Sequence, residues 1–411
     1  MTRRFPLQPE LLAAALVAAI LAFPNPASAR PPRSSLGLVG PASAIAIAHG
    51  PYLQNPAETA MTVIWFTDKP SVGWIEYATG GNFQTFPRFG GLVSTAKHVR
   101  HGLVEAGSTR HVVTLAGLQP GKAYKYRVLS KEILQFKPYE VIYGETAVGE
   151  IHEFKTLDPR RPAVRFQVFQ DLHGDATRLS SFFQLPGWET NDLFFFNGDT
   201  MDALQDEAGI FNGFLDFSAG RFAGDIPFIY VRGNHDTRGV MARRMEEFFP
   251  PRDGRFYGSF DQGPVHFLVL DGGEDKPDDS PVYAGLADFD RYRLEQAEWL
   301  KTETKSEAFK KAAFRVVIVH FPLYRKGFAP EQLTRIWGPL LNEGGADVLL
   351  AGHEHRLYRV DPAEGQNAFP VLGAPTTAFI RAEATASALD IKIIDIKGLV
   401  LDSLTIPAKK R

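Results

Sequence analysis

The stretch Arg165-Phe166-Gln167-Val168-Phe169-Gln170-Asp171-Leu172-His173 is a run of β-forming residues that stops abruptly in a carboxylate and an imidazole. The same arrangement recurs along the second half of the chain. The run Asp192 to Phe196 leads to Gly198-Asp199, and Pro227 to Val231 leads to Gly233-Asn234-His235-Asp236. Phe314 to Val319 ends at His320, and Asp347 to Leu350 at Gly352-His353-Glu354-His355. Most of these runs, with Val265 to Leu270, are continuously apolar, as strands covered on both faces are. An amphipathic helical pattern over Arg291 to Lys301 lies between two of them. Loops at strand C-termini are where functional groups gather on such sheets. Of the six histidines after residue 160, five lie in these blocks and only His266 falls inside a strand, a sorting that scattered surface histidines do not give. Carboxylate, amide oxygen and imidazole together make the donor mixture that holds two first-row divalent metals. The expectation is a dinuclear hydrolase.

Working outward, the polar joint Asp158-Pro159-Arg160-Arg161-Pro162 marks a change of character, and a chain of 411 residues carries a prior of two folded units. Residues 158–406 are assigned to the α/β unit, closing in a hairpin of Ala388 to Ile394, a Lys397-Gly398 turn and Leu399 to Ile406. Residues 46–157 read as all β, with runs at Met61 to Phe66, Val72 to Tyr77, Val112 to Leu115 and Ala123 to Leu129. Tyr124 follows a Pro120-Gly121 turn, the arrangement in which a tyrosine hydroxyl ties a sandwich corner to backbone, so this half looks like a fibronectin type III sandwich. Its aromatic residues Trp65, Trp74, Tyr77 and Tyr124 are expected in the core. Residues 30–45, rich in Pro, Ser, Ala and Gly, read as a linker. Arg3 and Arg4, the apolar stretch Leu11 to Phe23 and Ala27-Ser28-Ala29 make residues 1–29 an expected export signal, cleaved near Arg30. That places the protein outside the cytoplasm, periplasmic or extracellular, with no retained membrane span. The formal net charge of −2, with interspersed signs, argues against nucleic acid wrapping. The absence of cysteine removes thiolate metal sites and cysteine nucleophiles. There is no Gly-x-Ser-x-Gly elbow and no Gly-rich nucleotide cradle, so a covalent serine intermediate is not expected.

The stations Asp171-Leu172-His173, Gly198-Asp199-Thr200-Met201-Asp202, Gly233-Asn234-His235-Asp236, His320 and Gly352-His353-Glu354-His355 resemble, in order, the D-x-H, G-D-x-x-D, G-N-H-D/E, H and G-H-x-H pattern of calcineurin-like metallophosphoesterases. The preceding half is similar to the N-terminal sandwich of purple acid phosphatases, around Gly50-Pro51-Tyr52-Leu53-Gln54-Asn55 and the Leu118 to Tyr126 turn. The implied fold is a β-sandwich followed by an α/β domain of two packed mixed sheets flanked by helices (α/β/β/α).

The resemblance implies that Asp171, His173 and His355 hold one metal ion, that Asn234, His320 and His353 hold a second, and that Asp199 bridges both. The ions would be Mn, Zn or Fe, and a water between them would become the attacking hydroxide on a small phosphate ester. His235 would protonate the leaving oxygen or stabilise the charge on phosphorus, with Asp236 orienting its ring. Asp202 is expected to support the site rather than bind metal, and Asp175 and Asp271 to cap strand ends or turns. Asp202 stands where purple acid phosphatases carry the tyrosine that gives their colour, so no purple band is expected. Arg232, Arg238, Arg325 and Lys326 could grip a substrate phosphate or be solvated. A phosphomonoesterase is the simplest reading; a phosphodiesterase or nucleotidase on the same site, and a non-catalytic metal-binding interaction protein, are the alternatives.

Overall fold

The computed structural model describes residues 44–79 and 93–409. The expected signal peptide and nearly all of the expected linker lie outside them. Among the described residues no helix is long and apolar enough to cross a membrane.

Each apolar run ending in a metal-type block forms a strand. The first sheet has the order Phe228–Val231, Leu193–Asn197, Ala163–Phe169, Ala378–Thr385, Ala388–Asp395, Val400–Pro407. Its first three strands are parallel, and Ala378–Thr385 joins antiparallel to Ala163–Phe169. The second sheet runs Gly258–Gln262, Val265–Val269, Phe314–Ile318, Val348–Ala351, Val371–Gly373, Tyr358–Val360, with the four inner strands parallel. Because side chains alternate across a strand, each buries two faces. Val164, Phe166, Val168 and Phe195 meet Phe267, Val316, Ile318 and Leu350 between the sheets. Leu268, Val317 and Leu349 face outward onto Leu300, Leu333, Trp337 and Leu341 of the helices Phe289–Glu303, Phe328–Ile336 and Gly338–Gly344. Phe169, Phe194 and Phe196 pack under the helix Ala176–Phe182 and an irregular helical stretch, 207–223, interrupted by π-turns at Phe211–Leu215 and Ala219–Ala223. The result is the expected α/β/β/α layering.

The N-terminal half is β-rich, but its hydrogen bonding is continuous. One long strand, Ala60–Thr79, pairs through its first part with Ile47–Gln54 and Ser108–Ala116 and through its last part with Ala123–Lys137 and Ser94–Ala96. The register breaks between Phe66 and Ser71, where Pro70 cannot donate to a ladder. The two ends of this strand thus enclose one core of Met61, Val63, Trp65, Ile75, Tyr124, Tyr126 and Phe154. The tyrosine corner is present, with Gln119 N donating to Tyr124 Oη at 2.9 Å. Trp65 and Tyr124 are buried as expected, whereas Trp74 and Tyr77 keep part of their surface in water.

The described residues from Ala44 onward form one compact unit. Tyr52, Ile64 and Phe66 of the N-terminal half belong to the cluster above the first sheet. Tyr52 Oη donates to Phe248 O at 2.7 Å, Tyr126 Oη to Gly224 O at 2.7 Å and Gln54 Nε2 to Phe228 O at 3.0 Å. The 158–162 joint is tied down too, with Gln262 Oε1 accepting from Asp158 N and Leu157 buried between the sheets.

Candidate metal centre

The ligand-type residues sit two to four residues beyond strand C-termini, four in loops of the first sheet and three in loops of the second. Asp171, Asp199 and Asn234 follow strands of the first sheet; His320, His353 and His355 follow strands of the second. His173 completes the first loop. The parallel ladder continues past the strands into these loops: Asp171 N donates to Gly198 O at 3.0 Å, His173 N to Asp199 O at 2.9 Å and Gly352 N to His320 O at 2.9 Å. Those bonds hold an unfavourable backbone. Asp171, His173, Asp199, His353 and His355 all have positive φ, between 49° and 71°. Each such non-glycine residue costs on the order of 1–3 kcal/mol and persists only where its surroundings over-determine it. Two glycines are needed for space. A Cβ at Gly198 would stand 2.3 Å from His320 Nδ1, and one at Gly233 2.3 Å from Asp199 Oδ1.

Side chains converge in two groups that share Asp199. Donor atoms of Asp171, His173, Asp199 and His355 lie within 4.8 Å of one another, as do those of Asp199, His320 and His353. His173 Nε2 and His355 Nε2 face each other at 3.1 Å, and His355 Nε2 is 3.3 Å from Asp171 Oδ1. Both Asp171 oxygens accept from His353 N at 3.0 Å, which leaves lone pairs directed at the cluster. His320 Nδ1 lies 3.0 Å from Asn197 O. A carbonyl only accepts, so Nδ1 carries the proton and Nε2 is directed into the site, 3.2 Å from Asp199 Oδ2.

The donor set fits a pair of cations by a second criterion. Asn234 Oδ1, His173 Nδ1 and His320 Nε2 are buried without a hydrogen-bond partner, a cost that a bound cation would remove at Asn234 and His320. Charge agrees. Burial opposes the imidazolium of His320, but the Asp199 carboxylate outweighs it and pushes the group up to about 10; the same attraction, against burial, holds Asp199 well below the carboxylate range. Burial and the neighbouring His320 lower His353 to about 4, so its lone pair is free.

His235 stands beside the first group, its ring edge-on to His173 at 4.7 Å. Its Nδ1 is 2.7 Å from the Asp202 carbonyl and so bears a proton, while Nε2 meets Arg238 Nη1 at 3.3 Å. The Asp202 carboxylate is exposed and lies 3.4 Å from the Nδ1 atoms of both His173 and His235. Asp236 corrects the expectation made for it. It points away from the His235 ring into the protein, where its oxygens accept from Gly233 N at 2.8 Å and Met201 N at 3.3 Å. The 3₁₀ turn His235–Thr237 sends neighbouring side chains in different directions, and Asp236 braces the turn instead. Burial and the Asp199 charge raise its carboxyl to about 7.

Three of the four flanking cations are committed to carboxylates. Arg232 pairs with buried Asp271, Arg238 with Glu274 and Asp275, and Arg325 with Glu354; Lys326 is exposed. Asp175 caps the helix Ala176–Phe182 by accepting from Arg178 N at 2.8 Å. His266 is buried between Asp261 and Glu303; burial lowers it, but the two hydrogen bonds prevail and raise it.

Two groups were not assigned from the sequence. Glu274 is buried and takes Thr237 Oγ1 at 2.7 Å and Arg238, fixing the far side of the His235 turn. Its loop is held in turn by Arg293 of the helix Phe289–Glu303, whose Nε donates to Gly272 O at 2.9 Å. Glu354 receives both Arg325 Nε at 2.9 Å and Nη2 at 2.5 Å, linking the loop after His320 to the His353–His355 loop. The signal for both was an acid just past a buried strand, the rule that located the ligands.

Two family models match along the chain. Residues 165–357 match the calcineurin-like phosphoesterase family, and residues 50–156 match the N-terminal domain of purple acid phosphatases. The two matches follow one another along the chain, the purple acid phosphatase N-terminal match first and the calcineurin-like phosphoesterase match after it. It is 24% identical over 359 residues to mouse (Mus musculus) acid phosphatase type 7, covering 78% of this chain and 72% of that protein. The fold is similar to that of a purple acid phosphatase from yellow lupin (Lupinus luteus) seeds, at a TM-score of 0.63 and 15% identity over 87% of this chain and 74% of the other.

Proposed function

We propose that this protein is an exported, metal-dependent phosphoesterase, most simply a phosphomonoesterase acting on small phosphate esters. The observation that carries the reading is the pair of donor groups meeting at Asp199 with His235 alongside. Asp171, His173 and His355 would hold one ion and Asn234, His320 and His353 the other, with Asp199 shared; Mn, Zn or Fe suits such oxygen and nitrogen donors. Bound there, the ions supply Lewis acidity toward the phosphoryl oxygens and lower the pKa of a coordinated water. His235 keeps its Nδ1 proton on the Asp202 carbonyl and exchanges a proton at Nε2, where it serves the departing oxygen. Asp236 and Glu274 hold the turn that carries Asn234 and His235. Export rests on the basic, apolar and small-residue pattern of residues 3–29.

The test is to load purified protein separately with Mn, Zn and Fe and to offer an aryl phosphate, a bis-aryl phosphate, a mononucleotide and a cyclic nucleotide from mildly acid to mildly alkaline pH. Turnover of the aryl monoester above the diesters supports the proposal. Turnover of diesters alone replaces it with a diesterase, and no turnover with any metal ends it.

A further inference from the structure

Arg238 closes the 3₁₀ turn His235–Thr237 and keeps 31% of its side chain in water. Its guanidinium is gripped from one side. Nε stands 3.3 Å from both oxygens of Glu274, and Nη2 donates to Glu274 Oε2 and Asp275 Oδ1, each at 3.0 Å. The two acids are fixed in turn. Glu274 is buried, Asp275 takes Lys276 Nζ at 2.7 Å, and Tyr283 Oη lies 2.9 Å from Glu274 Oε2 and 3.2 Å from Asp275 Oδ1. One carboxylate would brace the turn; two of them on different nitrogens also set the direction of the planar group. Nη1 is thereby turned toward His235 Nε2, at 3.3 Å. Because His235 keeps its Nδ1 proton on the Asp202 carbonyl, Nε2 presents a lone pair and Nη1 donates to it. A neutral ring nitrogen is a weak partner for a guanidinium, and an anionic oxygen makes a shorter and stronger bond.

We infer that Arg238 contacts the substrate: its Nη1 leaves His235 Nε2 for an unesterified oxygen of the phosphoryl group, beside the oxygen that His235 serves, and so favours monoester dianions over diesters. The inference rests on the reading of this site given above and adds its choice of ester. A monoester dianion carries one more charged oxygen than a diester, which has a second ester group in its place. The same N–H therefore gains a charge-assisted bond with the monoester that the diester does not match. The two acids hold the fork in place before substrate arrives, so the donor needs little reorganisation.

The test compares inorganic phosphate with dimethyl phosphate by isothermal titration calorimetry, on protein carrying the metal that it retains through gel filtration. It is run alongside kcat/KM for an aryl phosphate and a bis-aryl phosphate. Arg238→Lys keeps a cation for buried Glu274 but has no second arm to send to His235. It is expected to bind phosphate about 10–100-fold more weakly, with dimethyl phosphate affinity, metal content and urea midpoint unchanged, and to lower the monoester-to-diester ratio of kcat/KM by the same factor. Arg238→Met with Glu274→Gln removes the fork without stranding a buried carboxylate and is expected to do the same. Wild-type phosphate affinity in either variant overturns the inference. So does equal weakening of both ligands, or loss of metal from both variants, since each would make Arg238 only a brace of the turn. A wild type that binds the two ligands equally overturns it as well. Selective phosphate binding that Arg238→Lys abolishes, in a protein that hydrolyses no ester, would support this inference and end the proposed function.

Discussion

His235 and Glu354 each neighbour a proposed ligand position, and their contacts differ. His235 touches no carboxylate of the two donor groups through its ring, so His235→Ala is expected to retain both metals by elemental analysis while kcat falls by roughly 10²-fold or more. Loss of metal content would instead make it a ligand-shell residue. Glu354 acts on the ligands through Arg325. Replacing it with Gln leaves its volume but removes the charge that clamps two ligand loops together, and metal affinity is expected to fall by about 10–100-fold with the urea midpoint unchanged. Competition with a chromophoric chelator measures this; an unaltered affinity would make the clamp incidental. The candidate donors were legible in the sequence because each follows a buried strand within two to four residues. Asp236 was misread for a physical reason: adjacency along the chain says little about direction in a tight turn, and its partners are backbone N–H groups that no residue pattern marks.

At the scale of elements, the strands with continuous apolar runs were readable and their order was not. Ala378–Thr385 escaped notice because Ala378, Ala382, Glu383 and Ala384 are poor β-formers, and its burial comes from the neighbours it inserts between. The long strand Ala60–Thr79 hid its double membership because Asp68-Lys69-Pro70 interrupts its apolar pattern and divides it into two runs. Its bend also buries a titratable group. His111 lies against Trp65, 2.8 Å from Ser71 Oγ and 3.2 Å from Thr67 Oγ1, and burial first, then Arg110, lowers it to about 4 from an ordinary 6.5. Between those values the unfolded chain binds more protons than the folded one, so stability is intact above pH 6.5 and declines as pH falls toward 4. The full loss amounts to roughly 3 kcal/mol at about 1.4 kcal/mol per unit. Urea midpoints across this range should show the decline, and His111→Gln should remove that component; an equally steep variant would assign the loss to other groups.

For the whole molecule, the two halves pack against each other closely, because Tyr52, Ile64 and Phe66 complete the cluster over the first sheet. That coupling was invisible in the sequence, where these residues satisfy the rules for an ordinary sandwich core. A single calorimetric transition is expected. Metal should raise it, since a ligand that binds only the folded state stabilises by mass action, by about 2.7 kcal/mol at a free concentration of 100 dissociation constants. Chelation that leaves the melting temperature untouched would contradict the proposed site. The donors come from both sheets, three loops on one and two on the other. A chain whose two sheets have not yet packed together therefore owns only fragments of a binding site, and retention of metal through gel filtration becomes a readout of completed assembly as well as of chemistry. Any substitution that wedges the layers apart, however distant from phosphorus, should announce itself first as leaching of the ions.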